Sequence, residues 1–222
     1  KKIKNEFMNN KTILSDYVIN YFYKKNIKHI FTLSGGGSIF LCDSLHKSKK
    51  VKYISCHHEQ AAAFAAESYA RYKRSMSAVV VTTGPGGTNT ITGVASAWID
   101  SVPVLFVSGQ VFLNQTIKKT GLRQLGVQEI DIVSLVKPIT KYSIMIEDPN
   151  MIKYHLDKAS YESITGRPGP VWIDIPANIQ SAFINPLKLK SFIPSKKYSS
   201  NKLIDKKIKN IAKKIFQSKK PL

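Results

Sequence analysis

The sequence predicts an α/β fold, a doubly wound parallel sheet with helices on both faces. Three observations predict it. Apolar strand-like runs and helical patterns alternate along the chain with short connections. The run AVVVTT (78–83) is rich in β-branched residues and does not alternate, the pattern of a strand buried on both faces. Loops at 34–37, 57–59 and 84–89 each follow a strand, so a parallel sheet gathers all three at its carboxyl edge, where such folds bind ligands.

Each element has its own signal. From Thr12 to Lys25, apolar residues fall at helical spacing: Ile13, Leu14, Tyr17, Val18, Tyr21 and Phe22. HIFTL (29–33) is a short apolar strand that runs into Ser34 and three glycines, after which Ser38 to His46 returns to a helical pattern. VKYISC (51–56) is a second strand, and alanine-rich Glu59 to Tyr72 a helix whose small side chains permit close packing. After the third strand, GPGG (84–87) breaks the chain, and Thr88 to Ile99 forms a helix of small residues. PVLFVSG (103–109) is the fourth strand, and a loop rich in Gly and Gln runs to about Glu129. Lys141 to Ile146 is a fifth strand. Asn150 to Ile164 is a helix stopped by GRPGP (166–170), and VWIDIP (171–176) closes the set.

This pattern divides the chain into an N-terminal extension (1–11), one α/β domain (12–180), an aperiodic linker (181–200) and the start of a further, central domain (201–222). In the last part Leu203 to Phe216 is a basic amphipathic helix, with Leu203, Ile204, Ile208, Ile211, Ala212 and Ile215 on one face. It reads as a helix awaiting a core rather than as a membrane-surface helix. No initiating Met is present, and the tail stops where another strand is expected, so a processed or truncated chain is the expectation.

Composition narrows the class. With 222 residues and 43% hydrophobic content, the chain can bury one good core. No apolar run reaches the roughly 20 residues that span a bilayer, and the basic start is not a secretory signal. Cys42 and Cys56 are too few for a disulfide framework. They read as reduced, buried thiols in a cytoplasmic protein. The net charge of +20 comes almost wholly from lysine, with only Arg71, Arg74, Arg123 and Arg167 as arginines. Scattered lysine without the arginine fork argues against nucleic-acid readout.

The chemistry-bearing residues sit in the loops. Glu59 stands at a strand-to-helix junction, where an acid in the first turn is favoured by the helix dipole. The GPGG turn offers a backbone against which a flat ring can lie. It is neither a Walker loop nor a G-x-G-x-x-G fingerprint. Taken singly, Asn89 reads as a helix N-cap, Gly35 to Gly37 as a tight turn, and Gln128-Glu129 as exposed loop polarity. His57 and His58 lack further ligands, so no metal site is expected.

Six blocks, LSGGGSIF (33–40), HHEQAAAFAAESYAR (57–71), TTGPGGTN (82–89), DSVPVLFVSGQV (100–111), GVQEIDIV (126–133) and TGRPGPVWIDIP (165–176), occur in a telling order and spacing. Together they resemble the N-terminal pyrimidine-binding domain of the acetolactate synthase-like, thiamine diphosphate-dependent enzymes, over residues 12–180. The resemblance implies the cofactor, and it implies roles. Glu59 would be the acid that hydrogen-bonds N1′ of the aminopyrimidine, and a dry pocket would let it share a proton with the ring. Pro85 and Asn89 would line the ring, beside Gly35 and Gly36, and Gln128 would face the active centre with Val127 in the substrate pocket. Mg²⁺ and the diphosphate would be held by a domain whose Gly-Asp-Gly…Asn motif has no match here. FAD, held in some members by a middle domain, is not indicated.

The implied reaction is decarboxylation of a 2-oxo acid with carboligation. The implied assembly is a homodimer or tetramer, or a pairing with a separate diphosphate-domain subunit. The chain departs from the family pattern at Leu33-Ser34, His57 and Val127, changes that touch the substrate pocket more than the proton relay. The alternatives are a non-catalytic dimerising module on the same fold and, further off, a basic nucleic-acid-binding protein.

Overall fold

The computed structural model describes residues 11–117, 120–194 and 202–220. The N-terminal extension, apart from Lys11, and residues 195–200 of the 181–200 linker lie outside the described residues. The chain divides into two compact units, one ending at Phe192 and one beginning at Ile193.

In the first unit β1 (Thr12–Ile13) leads into α1 (Leu14–Lys24), β2 (His29–Thr32) into α2 (Ile39–Lys47), and β3 (Lys52–Ser55) into α3 (Glu59–Lys73). Next come β4 (Ser77–Val81), the single turn α4 (Pro85–Thr88), α5 (Ile91–Ile99) and β5 (Val104–Gln110). The unit continues with α6 (Ile132–Val136), β6 (Tyr142–Met145), α7 (Ile152–Ile164), β7 (Val171–Pro176), α8 (Ala177–Gln180) and β8 (Phe183–Ile184). Six strands form one parallel sheet in the order β3-β2-β4-β5-β7-β6, as the alternation predicts.

Position in the sheet explains the residue types. β4 and β5 are central and buried at every position, which suits their unbroken apolar runs. β3 is an edge strand with all four residues exposed. Successive side chains point to opposite faces and build two cores. Ile30, Val80, Leu105, Val107 and Ile173 pack with α1, α2 and α7 residues such as Phe22, Leu41 and Leu156. Phe31, Val79, Val81, Phe106 and Trp172 pack with α3, α5 and α6. Phe106 and Trp172 stack with centroids 5.4 Å apart and planes 4° apart. Truncating a buried tryptophan of this kind typically costs about 3–5 kcal/mol.

The small residues of α3 and α5 do what their size permits. Ala63 is fully buried against Gly93, where an added Cβ would lie 2.5 Å from the alanine methyl. The helices therefore meet nearly backbone to backbone on one face of the sheet.

The structure differs from the sequence expectation in five places. The helix expected from Thr12 begins at Leu14, because Thr12 and Ile13 pair antiparallel with Ile184 and Phe183. That pairing makes 183–184 a strand inside the stretch read as linker, and Leu189 remains buried beyond it. The helix expected from Thr88 is split, since Pro85 opens a separate turn before Ile91. The short helix α6 carried no periodic signal, being only five residues long. It starts where the Asp131 side chain accepts from the Ser134 N–H at 3.1 Å. The two cysteines are half-buried rather than buried, and both are free thiols.

The second unit contains α9 (Lys202–Gln217), on which Ile204, Ile208, Ile211 and Ile215 are exposed along one side. No helix among the described residues is long and apolar enough to cross a membrane.

Candidate functional site

Because the sheet is parallel, the ends of β2, β3, β4, β5 and β7 share one edge, and the loops that leave them form the site. Glu59 begins α3 directly after β3. His58 caps that helix, its Nδ1 accepting from the Gln60 N–H at 3.1 Å. The glutamate is thus fixed by its helix start, and only 8% of its surface is exposed.

Asn89 reaches Glu59 from the other side. Its Nδ2 donates to Glu59 Oε2 at 2.9 Å. The N-cap position of α5 is Thr90, and no side chain caps that helix, so the Asn89 side chain serves the carboxylate rather than the helix. Among the described residues this is the one hydrogen bond to the Glu59 carboxylate, and it leaves Oε1 beside Gly86. A Cβ placed on Gly86 would lie 3.4 Å from Oε1 and 2.5 Å from Thr82 Cγ2. Glycine is required at 86 because Thr82 packs against its backbone, and that bare backbone lies beside the second carboxylate oxygen.

Gly84 has a different task. Its φ of +57° is one that glycine adopts without strain, and a Cβ there would lie 1.9 Å from the carbonyl oxygen of Gln128. The turn after β4 and the 126–130 loop therefore meet through bare backbone. Pro85, next in the turn, is exposed, as is Asn89. Gly35 is half-buried against the Thr82 side chain, and Gly36 is exposed. The Gly37 N–H donates to Thr82 Oγ1 at 3.0 Å. Thr82 thereby joins the first glycine turn to the second, and so to Glu59.

The loop pair expected in the substrate pocket divides. Val127 is 82% exposed, and the Gln128 side chain is exposed on a backbone with φ of +55°. Glu129 is buried, and its carboxylate accepts from the N–H groups of Ile117, Leu125 and Gly126. That glutamate is a structural anchor for the loop.

Sequence reasoning missed the layer beneath. Gln180 is fully buried and donates from Nε2 to the carbonyls of Gly37 (2.6 Å) and Ile175 (2.7 Å). Asp174 is buried on β7, where its carboxylate accepts from Ser108 Oγ (2.6 Å) and Gln110 Nε2 (3.1 Å). Burial pushes this carboxyl up to about 7. The two hydrogen bonds oppose that rise, and the charges of Asp131 and Glu129 add to it. A polar residue inside an otherwise apolar strand, as in VWIDIP and VLFVSGQ, is the signal that could have found these positions. A cavity of about 430 Å³ opens beside them, with Gln110, Glu129, Asp131, Glu147 and Asp174 in its wall. Glu59 is not part of it.

The arrangement fits the aminopyrimidine half of thiamine diphosphate. It offers a shielded carboxyl with one oxygen anchored and the other beside the bare backbone of Gly86. Among the described residues no group of three or more His, Cys, Asp or Glu is placed to hold a metal ion.

Comparison with known proteins gives the same picture. The chain is 34% identical over 222 residues to the acetolactate synthase large subunit of Lactococcus lactis, covering all of this chain and 37% of that protein. It is 33% identical over 193 residues to the mitochondrial acetolactate synthase of Schizosaccharomyces pombe, covering 86% of this chain and 28% of that protein. With the Corynebacterium glutamicum large subunit it shares 38% over 170 residues, 74% of this chain and 26% of that one. The chain thus spans about a third of the length of the curated relatives it matches. The model of the thiamine pyrophosphate enzyme N-terminal TPP-binding domain matches residues 13–135, more than half the chain, and to that family the chain belongs.

Proposed function

We propose that this chain is the cofactor-activating part of a thiamine diphosphate-dependent 2-oxo acid decarboxylase and carboligase similar to acetolactate synthase. The observation that carries the reading is the buried Glu59 carboxyl, held by Asn89 at one oxygen and lying beside the Gly86 backbone with the other. When bound, thiamine diphosphate supplies the electron sink for breaking and making the carbon–carbon bond. The protein's part is position and proton control. Glu59 holds a proton at N1′ of the aminopyrimidine, and Asn89 keeps the carboxyl turned toward the ring. Gly84 to Gly87 give the ring a backbone surface to lie on, and Pro85 and Asn89 form its rim together with Gly35 and Gly36. Gln128 and Val127, exposed at the edge of the cleft, face the 2-oxo acid.

On this reading residues 12–180 form the pyrimidine domain, and 201–222 begin a central one. A diphosphate-binding domain, in the same protein or in a partner subunit, completes the site with Mg²⁺, and the assembly is a dimer or tetramer. This chain alone is inactive. FAD is not required by anything in these residues. Two free thiols suit a cytoplasmic enzyme.

The test is Glu59→Gln in the protein completed with a diphosphate-binding domain, by extension or in trans. Turnover of a 2-oxo acid such as pyruvate should fall by about 100-fold or more, with the fold intact by circular dichroism. Unchanged turnover would refute the proton-holding role.

A further inference from the structure

Gln110 ends β5 and is 2% exposed, at a point where three segments of the site converge. Its side-chain amide uses every hydrogen-bonding position it has. Oε1 accepts from the Val111 N–H at 3.0 Å and from the Thr83 hydroxyl. Nε2 donates to the Ile130 carbonyl at 3.1 Å and to Asp174 Oδ2 at 3.1 Å. The amide cannot be turned over. The Val111 N–H is an obligate donor and the Ile130 carbonyl an obligate acceptor, so a flip would set like against like at both.

Each contact leads to the cleft. Thr83 immediately precedes Gly84, whose backbone touches the Gln128 carbonyl. Ile130 lies two residues past Gln128 on the facing loop. Asp174 holds the amide from below, and its other oxygen is held by Ser108, which also accepts from Trp172 Nε1 at 2.8 Å. One amide therefore ties the β4 turn and the 126–130 loop to the rigid centre of the sheet.

The geometry points to Gln110 as a positioning residue, which sets the separation of the Thr83–Gly84 turn and the 128–130 backbone that bound the cofactor cleft. This rests on the proposed cofactor reading above and deepens it, since Gln110 itself touches no reacting atom. The groups that face it are all acidic or neutral: Asp174 on β7, Glu129 and Asp131 on the loop, and Glu147 beyond β6. That setting gives the conservative variant a signature. In Gln110→Glu a carboxyl oxygen replaces the amide nitrogen and meets both the Asp174 carboxylate and the Ile130 carbonyl, so one proton on the pair restores only one of the two contacts.

The experiment measures thiamine diphosphate affinity, by quenching of tryptophan fluorescence, in the completed protein with Mg²⁺ present. Gln110→Ala should weaken binding about tenfold, the equivalent of one or two lost hydrogen bonds. Gln110→Glu should fall about tenfold behind the wild type near pH 8 and recover part of that loss near pH 6, each compared with wild type at the same pH. A merely structural role would lower thermal stability in both variants and leave affinity, in the folded protein, unmoved at both pH values. That result would overturn the inference. Should Gln110→Ala not fold, Thr83→Val, which removes only the hydroxyl, carries the test. About threefold weaker binding supports the role, and unchanged affinity rejects it. Failure here is distinct from failure of the Glu59 reading: the latter shows in turnover of Glu59→Gln, the former in binding by the Gln110 and Thr83 variants.

Discussion

Glu59 and Asp174 are both buried carboxyls near the same edge of the sheet, and they differ in everything that decides a role. Glu59 starts a helix at the rim and has one hydrogen bond among the described residues, with its second oxygen beside Gly86. Asp174 lies inside a strand, has a donor on each oxygen, and sits over the stacked pair Phe106 and Trp172 through Ser108. A search for the most perturbed carboxyl would select Asp174, since strong perturbation often marks active sites. Here the perturbation comes first from burial and belongs to a brace. A proton-transferring group needs an uncommitted oxygen, and of the two only Glu59 has one.

The comparison can be tested in both directions. The largest effect expected is on chemistry: Glu59→Gln should lower turnover of the completed enzyme about 100-fold or more, with stability little changed. Asp174→Ala should act first on stability. It leaves the Ser108 and Gln110 donors without their acceptor, at a cost of about 2 kcal/mol near pH 5 in urea unfolding.

A smaller effect separates the two by pH. Asp174 is pushed up to about 7 in the folded protein, while an aspartate in the unfolded chain titrates near 4. Between these values folding takes up a proton, so this group's contribution to stability is full below about pH 4, declines as pH rises through about 7, and is level above. Asp174→Asn should remove that part of the decline, read as a flatter melting temperature between about pH 5 and pH 8. A slope equal to the wild type's would show that other groups carry it. The smallest effect is Asn89→Ala, which frees the Glu59 carboxyl without touching the core. Turnover should fall about fivefold, the value of one hydrogen bond, and the unfolding midpoint should stay put because Asn89 is exposed.

Much of this protein was legible before its fold was known. The alternation of strands and helices predicted a parallel sheet, and position along each strand then placed Glu59, Asn89 and the two glycine turns at one edge. Two kinds of feature were not legible. The pairing of Thr12–Ile13 with Phe183–Ile184 joins segments more than 170 residues apart and two residues long, too short for a periodic signal. The braces through Gln110, Gln180 and Asp174 depend on side chains that look like isolated polar residues until the strands are aligned.

What the sequence determined by itself is local and periodic: which segments are strands, which are helices, and where glycine lets the backbone turn. These follow from side-chain branching, spacing and φ freedom, which a residue carries wherever it sits. The tertiary structure alone decided which of two buried acids keeps an open oxygen. Exposure and hydrogen-bond partners are properties of neighbours, and strand order brings those neighbours together from distant parts of the chain.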